Sequence, residues 1–254
     1  YGFFSGSSGL INVFLLMLFF SGLILDKMGI RFTGPLACSL MVIGTLIKYA
    51  AITQDFEMVH IPFFDIDMPG SVAFASLGFA IFGVGYEMTG ITVSKAMVRW
   101  FTGHELALAM GIQLAMARLG TAAALSISAP IARHFTLSTP LLLSLAFLMI
   151  GLLAFLVFCV MDQRLDSSIT TETSSSEEFR LSDIGVTLRN PGFWLITLFC
   201  VLFYSAVSPF LKFSTKLMVM KYGVDADIAG FFSSIAPFGT ILMTPLFGLI
   251  YDRY

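Results

Sequence analysis

The stretch Gly22-Leu-Ile-Leu-Asp26-Lys27-Met-Gly29-Ile-Arg31 (GLILDKMGIR, residues 22–31) returns in shortened form as GLIYDRY at 248–254. The shared pattern is Gly-x-x-x-Asp followed by a basic residue, carried by Gly22, Asp26 and Lys27 in the first copy and by Gly248, Asp252 and Arg253 in the second. Each copy closes a long apolar run, and a polar connector lies between them in the chain. One such loop could be a basic, orientation-setting loop with chance spacing. Two at equivalent places point to a duplicated half. The spacing has a physical rationale: the glycine permits close helix approach, the aspartate can face a helix N-terminus, and the basic residue can face a carboxylate across two halves.

Composition fixes the solvent around that repeat. Hydrophobic residues make up 57% of the 254, charged residues only 12%, and the mean hydropathy is +0.90. A soluble domain is about 45–50% apolar and about 25% charged, so the chain reads as an all-α, polytopic membrane protein. Seven apolar runs reach transmembrane length, at 3–25, 34–53, 70–98, 106–130, 140–161, 192–213 and 226–251. Helix-start signals stand at Gly34-Pro35, Pro69-Gly70, Pro140 and Asn190-Pro191. Interior Gly, Ala and Ser suit close helix contacts in lipid.

The same residues exclude several classes. A net charge of −2 and no Lys/Arg cluster speak against a nucleic-acid partner. Cys38, Cys159 and Cys200 each lie inside an apolar run and are expected to pack rather than bridge. His60, His104 and His134 fall in three separate connectors, too dispersed for a metal site. No Gly-x-x-x-x-Gly-Lys-Ser/Thr occurs, so ATP is not expected to drive the chain. No cofactor and no enzymatic chemistry are expected.

Orientation follows from the connectors. If the first run ends in the cytoplasm, the inner connectors hold Lys27, Arg31, Lys95, Arg99, Arg164, Arg180, Arg189 and Arg253, while the outer ones hold Arg133, Lys212, Lys216 and Lys221. The outer loop QDFEMVHIPFFDIDMPG (54–70) contains no Lys or Arg, which supports the same orientation. Tyr1 then lies outside with no signal peptide before it, so a preceding span of the native protein is expected. The Ser/Thr/Glu-rich residues 162–190 read as a cytoplasmic linker, with a phosphorylation site as the alternative. The expected organisation is a helix bundle at 1–161 lacking its first helix, the linker at 162–190, and the start of a second bundle at 191–254.

Two charges interrupt runs otherwise fit for lipid. Glu87 lies twelve residues before Arg99, and Arg118 thirteen residues after Glu105, with a tight connector between. At about 1.5 Å per residue both fall roughly 18–20 Å from the same turn, near mid-membrane. A charge at that depth costs about 2.5–3.5 kcal/mol on insertion scales and is expected to face a partner or a cavity. The pair reads either as a salt bridge pinning two helices or as a substrate site, a carboxylate for an ammonium and a guanidinium for a carboxylate. Gln113, Thr121 and Ser128 add polar groups on the second helix. If proton coupling exists, Glu87 is its candidate carrier. Lys48, Lys212 and Lys216 near outer helix ends read as snorkelling side chains.

The repeated loop resembles that of the major facilitator superfamily, where Gly-x-x-x-Asp-Arg/Lys-x-Gly-x-Arg/Lys follows the second helix and, in degenerate form, the eighth. The first copy is complete, with Gly29 and Arg31 in place; the second reaches the last residue. The resemblance implies that seven of twelve transmembrane helices are present, the second to the eighth, and that the loops latch the cytoplasmic side. The run FGVGYEMTGITVSKAMVRWFTGHELALAMGIQLAMARLG (82–120) is similar to the fourth-to-fifth helix hairpin of the major facilitator domain-containing proteins typified by a lysosomal dipeptide carrier. The shared pattern is Phe-Gly-x-Gly-x-Glu, then Trp-Phe-x-Gly-x-Glu-Leu, then Gly-x-Gln-Leu-x-Met-Ala-Arg-x-Gly. That likeness implies Glu87 and Arg118 as the groups holding a dipeptide's charged termini, and places Lys216 at a family lysine.

The expected function is therefore alternating-access transport of small solutes such as dipeptides, within a lipid bilayer. An organic-anion, nitrate or drug transporter of the same superfamily is the alternative, and a seven-span receptor a third that the duplicated loop disfavours. Some members work with a glycosylated accessory protein; none is visible in these residues. The absence of an Asn-x-Ser/Thr sequon leans towards a bacterial inner membrane, with the lysosomal membrane expected if the source is eukaryotic.

Overall fold

Glycine and proline set the helix ends in the computed structural model, which describes residues 4, 6–9, 17–54, 56–61, 66–101, 105–168, 185 and 189–253. Helix α1 (Met17–Met28) passes into α2 (Ile30–Thr53) through Gly29, whose φ of +75° only glycine adopts without strain. A short hairpin follows, β1 (Met58–Ile61) antiparallel to β2 (Ile66–Pro69), and then α3 (Gly70–Phe101), α4 (Leu106–His134) and α5 (Thr139–Ser168). Helix α6 (Pro191–Tyr222) starts with Pro191 at its first turn, and Asn190 Oδ1 accepts from the Gly192 N–H at 2.9 Å. It stops at Gly223 in the left-handed region, φ +64°, and α7 (Ala226–Arg253) begins three residues later.

Among the described residues six helices, α2 to α7, are long and apolar enough to cross a membrane. Residues 3, 5 and 10–16 of the expected first run at 3–25 lie outside the described residues; its final part is α1. Two features depart from expectation. The loop at 54–69 carries the β1–β2 hairpin, with His60 Nδ1 2.8 Å from Asp67 Oδ1 across the strands. The expected linker at 162–190 begins as helix, because α5 runs to Ser168 and Asp162 is anchored by Arg31 and Trp100. Most of the remaining linker lies outside the described residues.

The elements pack as two units. In one, α2 and α3 run against each other along a stripe of small residues. A Cβ built on Gly44 would fall 2.5 Å from the Gly78 carbonyl oxygen, and one on Gly85 2.6 Å from that of Ala37. Phe155 of α5 covers Gly34. Ala37, Val84 and Met88 form one apolar cluster, and Leu25, Ile30 and Ala96 another. In the other unit α4 packs along α7, and α6 also contacts α7. Ala109, Gly111, Ala115 and Ala122 of α4 are buried, Gly230 meets the Leu125 carbonyl and Gly248 that of Ala107. Such close backbone approach supplies the van der Waals contact that holds helices together in lipid. The packing thus groups α4 with α6 and α7. The cause is the small-residue face of α4, which matches the glycines of α7.

Candidate functional site

Glu87 sits in the middle of α3, one turn beyond Gly83, and is half-buried. Its carboxylate has no hydrogen-bond or ion-pair partner among the described residues of its unit. Beside it on α3 runs an aromatic ladder: Phe79 and Phe82 stack at 6.2 Å between centroids, and Phe82 and Tyr86 at 6.4 Å. Lys48 of α2 does not reach away from these rings as a snorkelling side chain would. Its ammonium lies 4.2 Å from the Phe82 centroid and 5.2 Å from that of Phe79, within cation–π range.

Arg118 lies on the α4 face marked by Gly111, Ala115 and Ala122, since steps of three and four residues share a helix face. It too is half-buried, and its guanidinium has no partner among the described residues of its unit. Gln113 Oε1, nearby on α4, is buried without a hydrogen-bond partner. Thr121 and Ser128, expected to offer polar groups, return their hydroxyls to α4 itself, donating to the Ala117 and Ala124 carbonyls at 3.0 and 2.6 Å. Glu87 therefore belongs to one packing unit and Arg118 to the other, each a charge without a partner among the described residues of its own unit.

The first loop motif is held from within its own unit. Asp26 Oδ1 accepts from Lys95 Nζ at 2.6 Å. Arg31 donates through Nε to Asp162 Oδ2 at 2.8 Å and through a terminal nitrogen to the Asp162 carbonyl at 2.9 Å. The same carboxylate accepts from Trp100 Nε1 at 3.1 Å and lies 3.5 Å from an Arg99 guanidinium nitrogen. Gly29 supplies the kink that brings Arg31 there. Around Gly22 a Cβ would find open space, whereas Gly248 of the second copy is pressed against α4. The side chains of Asp252 and Arg253 lie outside the described residues. Lys27 is exposed.

Sequence reasoning missed Asp162, whose side chain is fully buried and ties α2, α3 and α5 together. Its signal was present: it is the first charge after an apolar run of more than twenty residues, flush with the helix end rather than out in a linker. Asp162→Ala is expected to cost about 2–3 kcal/mol in thermal unfolding of the purified complete protein. Breaking a fully buried pair costs about 3–5 kcal/mol, and both guanidiniums here remain more than a third exposed. Asp26→Asn, at an exposed pair, should cost less than about 1 kcal/mol. Equal melting shifts in the two variants would refute the ranking.

Among the described residues no cluster of three or more His, Cys, Asp or Glu could hold a metal. Cys38, Cys159 and Cys200 are free thiols.

Comparison with known proteins adds three findings. The family profile described as Major Facilitator Superfamily matches residues 61–254. The proteins named lysosomal dipeptide transporter MFSD1 from Bos taurus and Homo sapiens are each 26% identical over 252 residues, covering 94% of this chain and 50% of theirs. The protein of that name from Gallus gallus is 29% identical over 188 residues, 70% of this chain and 42% of its own. The chain thus spans about half the length of the curated relatives it matches. No solved structure matches it.

Proposed function

The chain belongs to the Major Facilitator Superfamily, and from that premise we propose that it is part of a carrier that moves small zwitterions, dipeptides foremost, by alternating access. It is a multi-pass membrane protein and not an enzyme, so the question is what it carries. One observation supports the reading most: Glu87 and Arg118, opposite charges at mid-helix, each lack a partner among the described residues of the unit that holds them. An intramembrane charge left unpaired by protein is costly unless a ligand or water meets it. A zwitterion carries an ammonium suited to Glu87 and a carboxylate suited to the planar fork of Arg118.

In this reading residues 1–161 belong to the first half of the carrier and 191–254 to the second. The Gly-x-x-x-Asp loops, Gly22 to Arg31 and Gly248 to Arg253, close the cytoplasmic side. The name of the relatives, lysosomal dipeptide transporters, agrees with a dipeptide substrate. It also supports a lysosomal membrane if the source is eukaryotic, and the bacterial plasma membrane is the counterpart otherwise.

The test is uptake by proteoliposomes of the complete protein, offered a panel of neutral dipeptides, single amino acids, nitrate and a lipophilic drug cation. Saturable dipeptide uptake is the expected result. Movement of nitrate or the drug cation without any zwitterion would refute the assignment and leave only the scaffold in common.

A further inference from the structure

At the end of α4 remote from Gly248, Arg133 forks between two carboxylates. One terminal nitrogen donates to Asp225 Oδ2 at 2.6 Å and the other to Asp227 Oδ2 at 2.8 Å. The carboxylates are presented by a stiff turn. Gly223 ends α6 in the left-handed region, where the Val224 N–H bonds back to the Met218 carbonyl at 3.3 Å. Asp225 then caps α7: its Oδ1 accepts from the Asp227 N–H at 3.0 Å, and its carbonyl from the Ala229 N–H at 2.8 Å. The two oxygens of Asp225 thus divide their work, one starting α7 and the other holding Arg133.

Below this cluster the α4–α7 contact continues through Leu125 against Gly230. No carboxylate is required at position 227 for the helix to start, since Asp225 already caps it. The Arg133 guanidinium also sits beside no other acid in its unit among the described residues. The double fork is better explained as a tie between two elements than as a device of either one.

We propose that Arg133, Asp225 and Asp227 form a latch that holds α4 against α7 on the face opposite the Gly-x-x-x-Asp loops, and that it opens when the carrier admits solute from that face. The inference rests on the proposed carrier reading, in which α4 belongs to the first half and α7 to the second. It gives the carrier an ionic closure on the face opposite the cytoplasmic loops. The latch also tolerates mild acid. The Arg133 hydrogen bond holds the Asp225 carboxyl below the usual carboxylate range. A depressed carboxyl keeps its pair above its unfolded value and surrenders it only as pH falls through the lower folded one.

The test uses the complete protein with its native cysteines replaced by serine and Ala129→Cys added one turn below Arg133. A membrane-impermeant maleimide applied from the latch face reads how often that face opens. Asp225→Asn combined with Asp227→Asn retains the cap, because Asn caps a helix as Asp does, and Arg133→Gln removes both bonds from the other side. Each should speed labelling roughly 3–10-fold, the shift that two exposed ion pairs of ordinary strength give an opening equilibrium. Unchanged labelling in both variants would overturn the latch. A second arm joins Arg133→Cys to Asp227→Cys with a reducible bifunctional thiol reagent; solute uptake should stop and return on reduction. Uptake that continues through the cross-link would show that α4 and α7 never part there. Labelling needs no transported solute, so a wrong substrate class leaves the latch result intact and is distinguishable from failure of the latch itself.

Discussion

Glu87→Gln and Arg118→Gln, made separately in the complete protein, are each expected to weaken dipeptide affinity, read from the ligand dependence of thermal stabilisation, on the order of 100-fold while leaving the unliganded protein folded. Both halves of that expectation follow from the same fact. Neither charge has a hydrogen-bond or ion-pair partner among the described residues of its own unit, so neutralising it releases no buried counter-charge. A salt bridge would behave otherwise: loss of one member leaves the other uncompensated and lowers the melting temperature of the unliganded protein. Binding differs because a charge-assisted hydrogen bond is worth about 1.5–3 kcal/mol and the Arg118 fork can make two. The variants should also separate by substrate. Arg118→Gln should spare a dipeptide amide whose terminal carboxylate is already neutral, and Glu87→Gln should spare an N-acetylated peptide. Early melting of both variants, with no dipeptide stabilising the parent protein, would make the two residues structural and sink the zwitterion reading.

Much of the scaffold was legible in the sequence because lipid constrains composition so strongly. Runs of apolar residues of the required length, punctuated by Pro and Gly, correspond to six long helices within a residue or a few at most ends. Gly29 was legible as a motif position, although its reason, a φ of +75° between two helices, is a backbone property that spacing alone does not reveal. Asp162 shows the opposite limit. Composition assigned it to a linker, since a Ser/Thr/Glu-rich stretch follows, but its carboxylate is drawn back onto the helix end by Arg31 and Trp100, more than sixty residues away in sequence. Pairings of that range leave no local periodicity. The Arg133 fork was hidden for the same reason: positive charge near a helix end reads as topology, and only the partners at 225 and 227 give it another role.

Gly44→Ala is expected to destabilise the α2–α3 pair by about 3 kcal/mol, the upper part of the range for overpacking a tight interior, and Gly78→Ala by a similar amount. The new Cβ at 44 would lie 2.5 Å from the Gly78 carbonyl oxygen and 2.6 Å from the Phe82 nitrogen, and the one at 78 would lie 2.7 Å from the Gly44 carbonyl oxygen. These are backbone atoms, which no rotamer change can move aside, so the helices must separate by about an ångström to restore ordinary contact. Separation forfeits contacts along the whole interface, including Gly85 against Ala37, because the two helices are rigid rods sharing one seam. It also withdraws Lys48 from the Phe79 and Phe82 rings that flank Glu87. Helix propensity acts in the opposite direction: alanine is favoured over glycine in a helix interior by about 1 kcal/mol. Gly90→Ala, where a Cβ meets nothing within 4 Å, isolates that gain and should be neutral or slightly stabilising. Reversible unfolding of the three variants in detergent measures the ordering. If Gly44→Ala and Gly90→Ala melted alike, the small-residue seam would not be what holds α2 to α3, and the placement of Glu87 would need another support.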